Sequence, residues 1–90
     1  MPKPLPESSN IKLQLKIKSA TKTHYDGEAS SITSYNDTGV FDILPQHANF
    51  ITVIKEKIIV NKGLEGQVEV KVENGVLSVK EDRVDVYLGF

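Results

Sequence analysis

Cysteine is absent from the 90 residues, and the charges nearly cancel, since 12 Asp and Glu stand against 11 Lys and Arg. Without cysteine the chain can form neither disulfides nor thiolate metal sites. A net charge of −1 provides no basic surface for nucleic acid or for anionic lipid. No apolar run approaches the roughly 20 residues of a membrane-spanning helix, and the first ten residues lack the apolar core of a signal peptide. These absences predict a soluble, intracellular protein.

Motifs for catalysis and metal binding are missing as well. The two histidines, His24 and His47, belong to no Gly-x-Ser-x-Gly motif, no phosphate-binding glycine loop and no His-x-x-x-His spacing. The stretch 26–54 holds no Lys or Arg but four acids: Asp26, Glu28, Asp37 and Asp42. Their spacing matches no calcium loop. We therefore predict a non-enzymatic protein with no catalytic, cofactor-binding or metal-binding residues.

Alternating apolar and polar residues run through most of the chain. Residues 11–18, "IKLQLKIK", put four apolar side chains on one face and four polar ones on the other, which is the period of a half-buried strand. The segments 68–73 and 83–88 repeat this pattern. The predicted core comprises Leu13, Leu15, Ile43, Leu44, Val53, Val70, Leu77, Val79 and Val86. No helical period of useful length is present.

Turn signals separate these strands at intervals of roughly 8–12 residues, which is typical of a sandwich or barrel. Asp26-Gly27 and Asn74-Gly75 have the composition of two-residue hairpin turns, and Glu81-Asp82 separates the last two strands. Three of the four prolines fall within residues 1–10, predicting a flexible amino-terminal tail. The predicted fold class is all-β, a two-sheet antiparallel β-sandwich formed by residues 11–90.

Residues 39–55, "GVFDILPQHANFITVIK", are too apolar for a strand with one solvated face. Such density fits a segment that passes from one sheet to the other and is buried on both sides at the corner. Pro45 and His47 are then structural corner residues, with His47 hydrogen-bonded by nearby backbone carbonyls or solvent. A contact of His47 with a partner protein is the alternative.

From Tyr25 to Lys55 the sequence resembles, without a gap, the amino-terminal domain of the epsilon subunit of F-type ATP synthases (delta in mitochondria). The family shows an aromatic residue, a small residue and Gly-Glu, then a short strand, an acidic turn with glycine, and a Leu-Pro-x-His-Ala block. The matching positions are Gly27, Glu28, Ser31, Thr33, Gly39, Phe41, Leu44, Pro45, His47, Ala48, Thr52 and Lys55. Residues 72–88 are similar to the later strands of the family, so the resemblance covers about 75 of 90 residues.

The chain also departs from the family pattern. Asp42 and Gln46 stand where the family usually has glycine, Asn49 where it has proline, and Glu56-Lys57 where Pro-Gly is common. If those glycines need φ > 0, Asp tolerates the conformation better than Gln does. The chain ends at Phe90, where longer members begin a helical hairpin that inhibits hydrolysis and in some members binds ATP. Neither role is carried over to this divergent sequence.

The resemblance implies a non-catalytic rotor subunit in the central stalk of a proton- or sodium-translocating F-type ATP synthase. Such a subunit links the gamma subunit to the c ring and helps to couple ion flow to ATP synthesis. It binds no nucleic acid and reaches the membrane only through the c ring. It would be peripheral, at the cytoplasmic face of the bacterial inner membrane or in the matrix or stromal equivalent. The alternative is a free-standing β-sandwich adaptor outside the ATP synthase.

The resemblance also places a candidate c-ring contact in one turn: Asn36, Asp37, Thr38, Gly39, Val40, Phe41 and Asp42. In the family this turn faces polar loops of the c ring that commonly carry arginine. We expect Asp37 and Asp42 to meet such arginines through charge-assisted hydrogen bonds. The alternative is that both acids only solvate a loop, in which case Val40 and Phe41 would supply an apolar contact.

Overall fold

The computed structural model describes residues 12–89, so the predicted tail 1–10 lies outside the described residues, as do Ile11 and Phe90. Within that range the chain forms strands and no helix. The strands are β1 (Leu13–Lys18), β2 (Thr23–Ala29), β3 (Ile32–Asn36), β4 (Gly39–Ile43), β5 (Phe50–Val60), β6 (Val68–Lys80) and β7 (Arg83–Leu88). Nothing between residues 12 and 89 is a helix of the length and apolarity that crossing a bilayer requires.

The alternation of β1 is confirmed, since Leu13, Leu15 and Ile17 are buried while Gln14 is exposed. The Asp26-Gly27 turn is wrong, because both residues lie inside β2 and pair with β1. The β1–β2 hairpin closes instead over residues 19–22. The turn preference of Asp26-Gly27 is overridden because β2 gains hydrogen bonds to β1 by continuing past the glycine.

The predicted turn at Asn74-Gly75 is also wrong, because both residues lie inside β6. Gly75 is buried and stands opposite Leu88, and a Cβ atom there would come within 2.8 Å of the carbonyl oxygen of Tyr87. Glycine therefore permits a close approach of two strands rather than a chain reversal. The Glu81-Asp82 turn is confirmed, and both residues have positive φ, as in the two-residue hairpin turns that match strand twist.

The seven strands form one continuous sheet in the order β2-β1-β7-β6-β5-β3-β4. The β1–β7 pair is parallel and the other pairs are antiparallel. Ala29 ends β2 and Ile32 begins β3, so their Cα atoms are at most about 11 Å apart. In a flat sheet, strands five places apart would be separated by about 24 Å. The sheet must therefore fold over until its two ends face each other.

The sheet changes layer within its two longest strands. Residues 50–54 of β5 pair with 75–79 of β6, and residues 56–60 pair with 68–72, with a register shift between Ile54 and Glu56. Glu56 has a φ of 73° at this bulge, and a bulge bends a strand. The paired segments 50–54 and 75–79 lie beside β7, β1 and β2, and the paired segments 56–60 and 68–72 lie beside β3 and β4. The all-β sandwich prediction is confirmed, with the difference that its layers are continuous through β5 and β6 and that one pair is parallel.

One apolar cluster joins the two layers and contains residues from all seven strands: Leu13, Leu15, Ile17, Ala29, Ile32, Ile43, Ile54, Ile58, Val60, Val72, Leu77, Val79, Val84 and Val86. Six of the nine predicted core residues belong to it, and Val70 packs against it. The prediction that Leu44 and Val53 lie in the core was wrong, since they are 55% and 59% exposed. The reason is that Ile43 and Ile54 occupy the inward positions, so the neighbouring residues face outward. The 39–55 segment is therefore not buried on both sides.

Candidate docking surface

The predicted c-ring contact forms the β3–β4 hairpin, whose two-residue turn is Asp37-Thr38 between the paired residues Asn36 and Gly39. The Asn36 Oδ1 atom accepts hydrogen bonds from the backbone N of Thr38 at 2.9 Å and from its Oγ1 at 2.7 Å. Gly39 has a φ of 124°, a conformation that glycine adopts without steric cost. We call residues 36–39 the tip. Its turn is held by local polar contacts, with Asn36 half-buried and Asp37 and Thr38 exposed.

The two candidate acids have different surroundings. The Asp37 side chain is 99% exposed, and its Oδ1 atom lies 3.4 Å from Nζ of Lys55. Such a solvated pair contributes little to stability, so the Asp37 carboxylate is free to exchange partners. Asp42 lies at the base of the hairpin, where its Oδ1 atom accepts a hydrogen bond of 2.5 Å from the hydroxyl of buried Thr33. The structure thus separates one acid at the tip from one that is bound to the sheet.

The two apolar candidates also differ. Val40 is 60% exposed. Phe41 is half-buried and packs edge-on against Phe50, with ring centroids 5.9 Å apart. Because successive side chains of β4 alternate, Val40 shares the outer face with Asp42 while Phe41 points inward beside Ile43. Of the two, Val40 is the one available to a partner.

An apolar surface that the sequence analysis missed lies beside the tip. Ile51, Val53 and Tyr87 are 71%, 59% and 51% exposed, and half-buried Val76 stands in register between Val53 and Tyr87. We call these four residues the apolar strip. At its border Nζ of Lys18 lies 4.9 Å from the centre of the Tyr87 ring. The alternation of β5 could have indicated this surface, because Ile51 and Val53 lie on the face of the strand opposite to that of buried Ile54.

A groove of about 340 Å³ separates the tip from the strip. Its walls are formed by Asn36, Asp37, Thr38, Ile51, Thr52 and Val53. A single hydrogen bond crosses between the walls, from Nδ2 of Asn36 to Oγ1 of Thr52, at 3.1 Å. The tip and the strip are therefore adjacent surfaces of different chemistry, one acidic and polar and the other apolar.

Pro45 and His47 lie in the loop that joins β4 to β5, residues 44–49, which we call the corner loop. The backbone N of His47 donates to the carbonyl of Leu44 at 3.1 Å, and Nδ1 of its ring donates to the carbonyl of Ala48 at 2.6 Å. The ring lies 5.1 Å from that of Phe50. These contacts support a structural role for His47, and the structural role of both Pro45 and His47 stays a prediction.

Two further hydrogen bonds fasten the corner loop to the β6–β7 turn. The backbone N of Gln46 donates to Oδ1 of Asp82 at 2.5 Å, and the backbone N of Glu81 donates to Oδ1 of Asn49 at 2.9 Å. Gln46 has a φ of 69°, in the left-handed region that favours glycine, the residue that the resemblance gives as usual at this position. Asp42, by contrast, lies in β4 and is not among the residues with positive φ.

Elsewhere in the described range, no three acidic or histidine side chains come together in a way that could hold a metal ion. His24 approaches a hydroxyl, with Nε2 3.3 Å from Oγ of Ser19. Neither histidine thus meets a carboxylate among the hydrogen-bonded partners in residues 12–89. The structure defines a small β-sandwich with two exposed surfaces beside each other.

Residues 12–88, from the first strand to the last, match the sequence profile of a family described as "ATP synthase, Delta/Epsilon chain, beta-sandwich domain". The chain belongs to this family. It is also 34% identical over 76 residues to the ATP synthase epsilon chain of Sulfurimonas denitrificans (strain ATCC 33889 / DSM 1251). That match covers 83% of this chain and 58% of the relative, so the chain spans under two thirds of the length of the relative.

Solved structures show the same fold. A chain of the Euglena gracilis mitochondrial ATP synthase (OSCP/F1/c-ring in rotational state 1) aligns with a TM-score of 0.77 at 14% identity, over 86% of this chain and 50% of that one. A chain of the Tetrahymena thermophila mitochondrial ATP synthase central stalk and c-ring aligns with a TM-score of 0.69 at 13% identity, over 89% and 65%. At these identities the likeness is one of fold.

Proposed function

We propose that this chain is a non-catalytic rotor subunit of the central stalk of a proton- or sodium-translocating F-type ATP synthase. The observation that carries the proposal is the family match, which runs through all seven strands. The epsilon chain of Sulfurimonas denitrificans and the central-stalk structure from Tetrahymena thermophila support it. In this role the domain helps to couple ion flow to ATP synthesis without performing chemistry itself.

The tip is the proposed contact with the c ring. Asp37 presents a solvated carboxylate at the end of a hairpin, where a basic side chain of a partner can reach it. Val40, exposed on the same hairpin, adds apolar area. A charge-assisted hydrogen bond between a carboxylate and a guanidinium is short and directional. Asp42, bound to Thr33, is assigned a smaller part than Asp37.

The apolar strip is the proposed contact with the gamma subunit. Ile51, Val53 and Tyr87 together expose more apolar surface than isolated surface residues do, and such patches mark protein interfaces. Tyr87 combines an apolar ring with a polar hydroxyl, a side chain enriched at interface hot spots. The strip and the tip lie on either side of one groove, so a domain of this size can contact both partners at once.

A rigid domain suits the transfer of rotation between the c ring and the gamma subunit. The long strands β5 and β6 run from one layer to the other and stay paired on both sides of the bulge, so force applied to either layer can be carried along the strands to the other. In the assembly the subunit would be peripheral, at the cytoplasmic face of the bacterial inner membrane or in the matrix or stromal equivalent. It would reach the membrane only through the c ring.

Affinity purification from native membranes tests the proposal. The tagged parent chain should recover gamma and c subunits. Val53→Asp should lose the gamma subunit, because it places a charge in the apolar strip. Leu64→Asp is the matched control, since Leu64 is 53% exposed in the β5–β6 connection, away from the strip. Recovery of an unrelated protein without any ATP synthase subunit would favour the adaptor alternative and contradict the proposal.

A further inference from the structure

The tip has few bonds to the rest of the domain. Backbone pairing between β3 and β5 ends at Tyr35 and Lys55. Past that pair, within residues 12–89, side chains alone connect the tip to β5. One connection is the solvated ion pair between Asp37 and Lys55, and the other is the hydrogen bond from Asn36 to Thr52.

Asn36 makes one of these two contacts and also holds the turn of the tip. Its Oδ1 atom receives two hydrogen bonds from Thr38, which uses both lone pairs of that oxygen. Its Nδ2 atom donates to Oγ1 of Thr52 at 3.1 Å. The carboxamide thus binds the turn on one side and β5 on the other. A carboxamide can do this because it carries an acceptor and a donor on one rigid plane.

The groove shows why this bond matters. About 340 Å³ of open space lies between the tip and β5. Apolar packing does not fill that space, because Ile51 and Val53 along it are more than half exposed. Without the bond to Thr52, the Asn36 carboxamide that holds Thr38 would be free to rotate, so the turn would open more often and the tip could change its angle against β5. Thr52 lies between Ile51 and Val53 in β5, so the bond ties the tip to the strand that carries two residues of the apolar strip.

We propose that Asn36 is a positioning residue that fixes the orientation of the tip relative to the apolar strip through Thr52. This rests on the proposed function in one respect: it would keep the c-ring contact and the gamma contact at a constant angle, so that rotation passes between the two partners without loss at the hairpin. Asn36 itself need not touch either partner.

Amide hydrogen exchange on the isolated chain tests the hydrogen bond between Asn36 and Thr52, here called the bridge, without any partner. Thr52→Val removes the hydroxyl while keeping the shape, so the amide of Thr38, which donates to Oδ1 of Asn36, should exchange roughly three- to tenfold faster, corresponding to the loss of one hydrogen bond. Amides of β7 should be unchanged. Thr52→Ser keeps the hydroxyl and should restore the slow exchange. Thr23→Val is the matched control, because Thr23 is an exposed threonine of edge strand β2. Unchanged tip exchange in Thr52→Val, or equally fast exchange in Thr52→Ser, would overturn the proposal.

Binding to the purified c ring supplies the second arm. If the bridge positions the tip, Thr52→Val should dissociate several-fold faster than the parent at equal thermal stability, and Thr52→Ser should behave like the parent. Faster tip exchange with unchanged dissociation would overturn the positioning role. A parent chain that fails to bind the ring would contradict the proposed function instead, while the exchange result would still decide whether the bridge fixes the tip.

Discussion

The tip at residues 36–39 and the corner loop at residues 44–49 flank the same short strand, β4, but they are held in different ways. The corner loop exchanges two hydrogen bonds with the β6–β7 turn and packs His47 against Phe50. The tip reaches β5 through two side-chain contacts, one of them a solvated ion pair. A segment fastened from several sides contributes to stability, whereas one that is left exposed can bind a partner. The comparison predicts that changes at the corner loop alter folding and changes at the tip alter docking.

The largest effect on stability should come from Ile43, the buried last residue of β4 that anchors both regions. Ile43→Ala should lower the free energy of unfolding by roughly 2–5 kcal/mol, because it leaves a cavity in the shared core. Urea denaturation measures this. Val40→Ala, on the exposed face of the same strand, is the control and should stay within about 0.5 kcal/mol of the parent. Equal losses for the two variants would contradict the assigned faces of β4.

His47→Ala should have the next largest effect. The variant loses a side-chain hydrogen bond to the Ala48 carbonyl and the packing against Phe50, which together correspond to roughly 1–2 kcal/mol. Thermal or urea unfolding would show the loss, while binding to the c ring should be retained once the protein is folded. Full stability combined with the disappearance of a measurable catalytic activity would overturn the structural role of His47.

Gln46→Gly should stabilise the domain. Gln46 has a φ of 69°, which costs a non-glycine residue roughly 1–2 kcal/mol. Glycine removes that cost but loses more backbone entropy on folding, so we expect a net gain of roughly 0.5–1 kcal/mol. The backbone N that donates to Asp82 is kept. Gln14→Gly in β1 is the control and should destabilise, since β1 is extended. A loss of stability in Gln46→Gly would show that its side chain makes a contribution that the hydrogen bonds do not reveal.

Strands with one buried face were predictable because their period is unambiguous. Alternation gave the inward residues of β1 and β7 correctly and those of β6 except for Val68, which is 37% exposed. The same rule failed at Leu44 and Val53, because a dense apolar run does not reveal which residues face inward. The apolar strip was missed for this reason, since Val53 was assigned to the core and Ile51 to a segment buried on both sides.

Turns were less predictable than strands. Asp-Gly and Asn-Gly dipeptides favour tight turns locally, but Gly27 and Gly75 lie in strands whose pairing partners come from elsewhere in the chain. The Asn36–Thr52 bridge and the bonds between the corner loop and the β6–β7 turn also join residues far apart in sequence. No local pattern encodes such contacts. The family resemblance left open whether Asp42 and Gln46 need φ > 0, and the structure shows positive φ at Gln46 but not at Asp42.

The smallest effect on folding should come from the tip acid. Asp37→Asn keeps the shape and removes a solvated charge, so the unfolding transition should be unchanged. Asp42→Asn is the matched variant at the base of the hairpin, where the hydrogen bond to Thr33 makes some loss of stability expected. The two variants together separate the acid assigned to docking from the acid assigned to the sheet.

Binding of these variants to the purified c ring, measured across ionic strength, tests the central claim that the tip is a docking surface of a rotor subunit. The parent should bind, and its affinity should fall as salt screens the charges. Asp37→Asn should bind more weakly at low salt and should respond less to added salt. The Asp37→Asn and Asp42→Asn double variant should lose most of the remaining salt dependence. If the double variant binds like the parent at every salt concentration, the acids take no part in docking, and the account of the tip is contradicted.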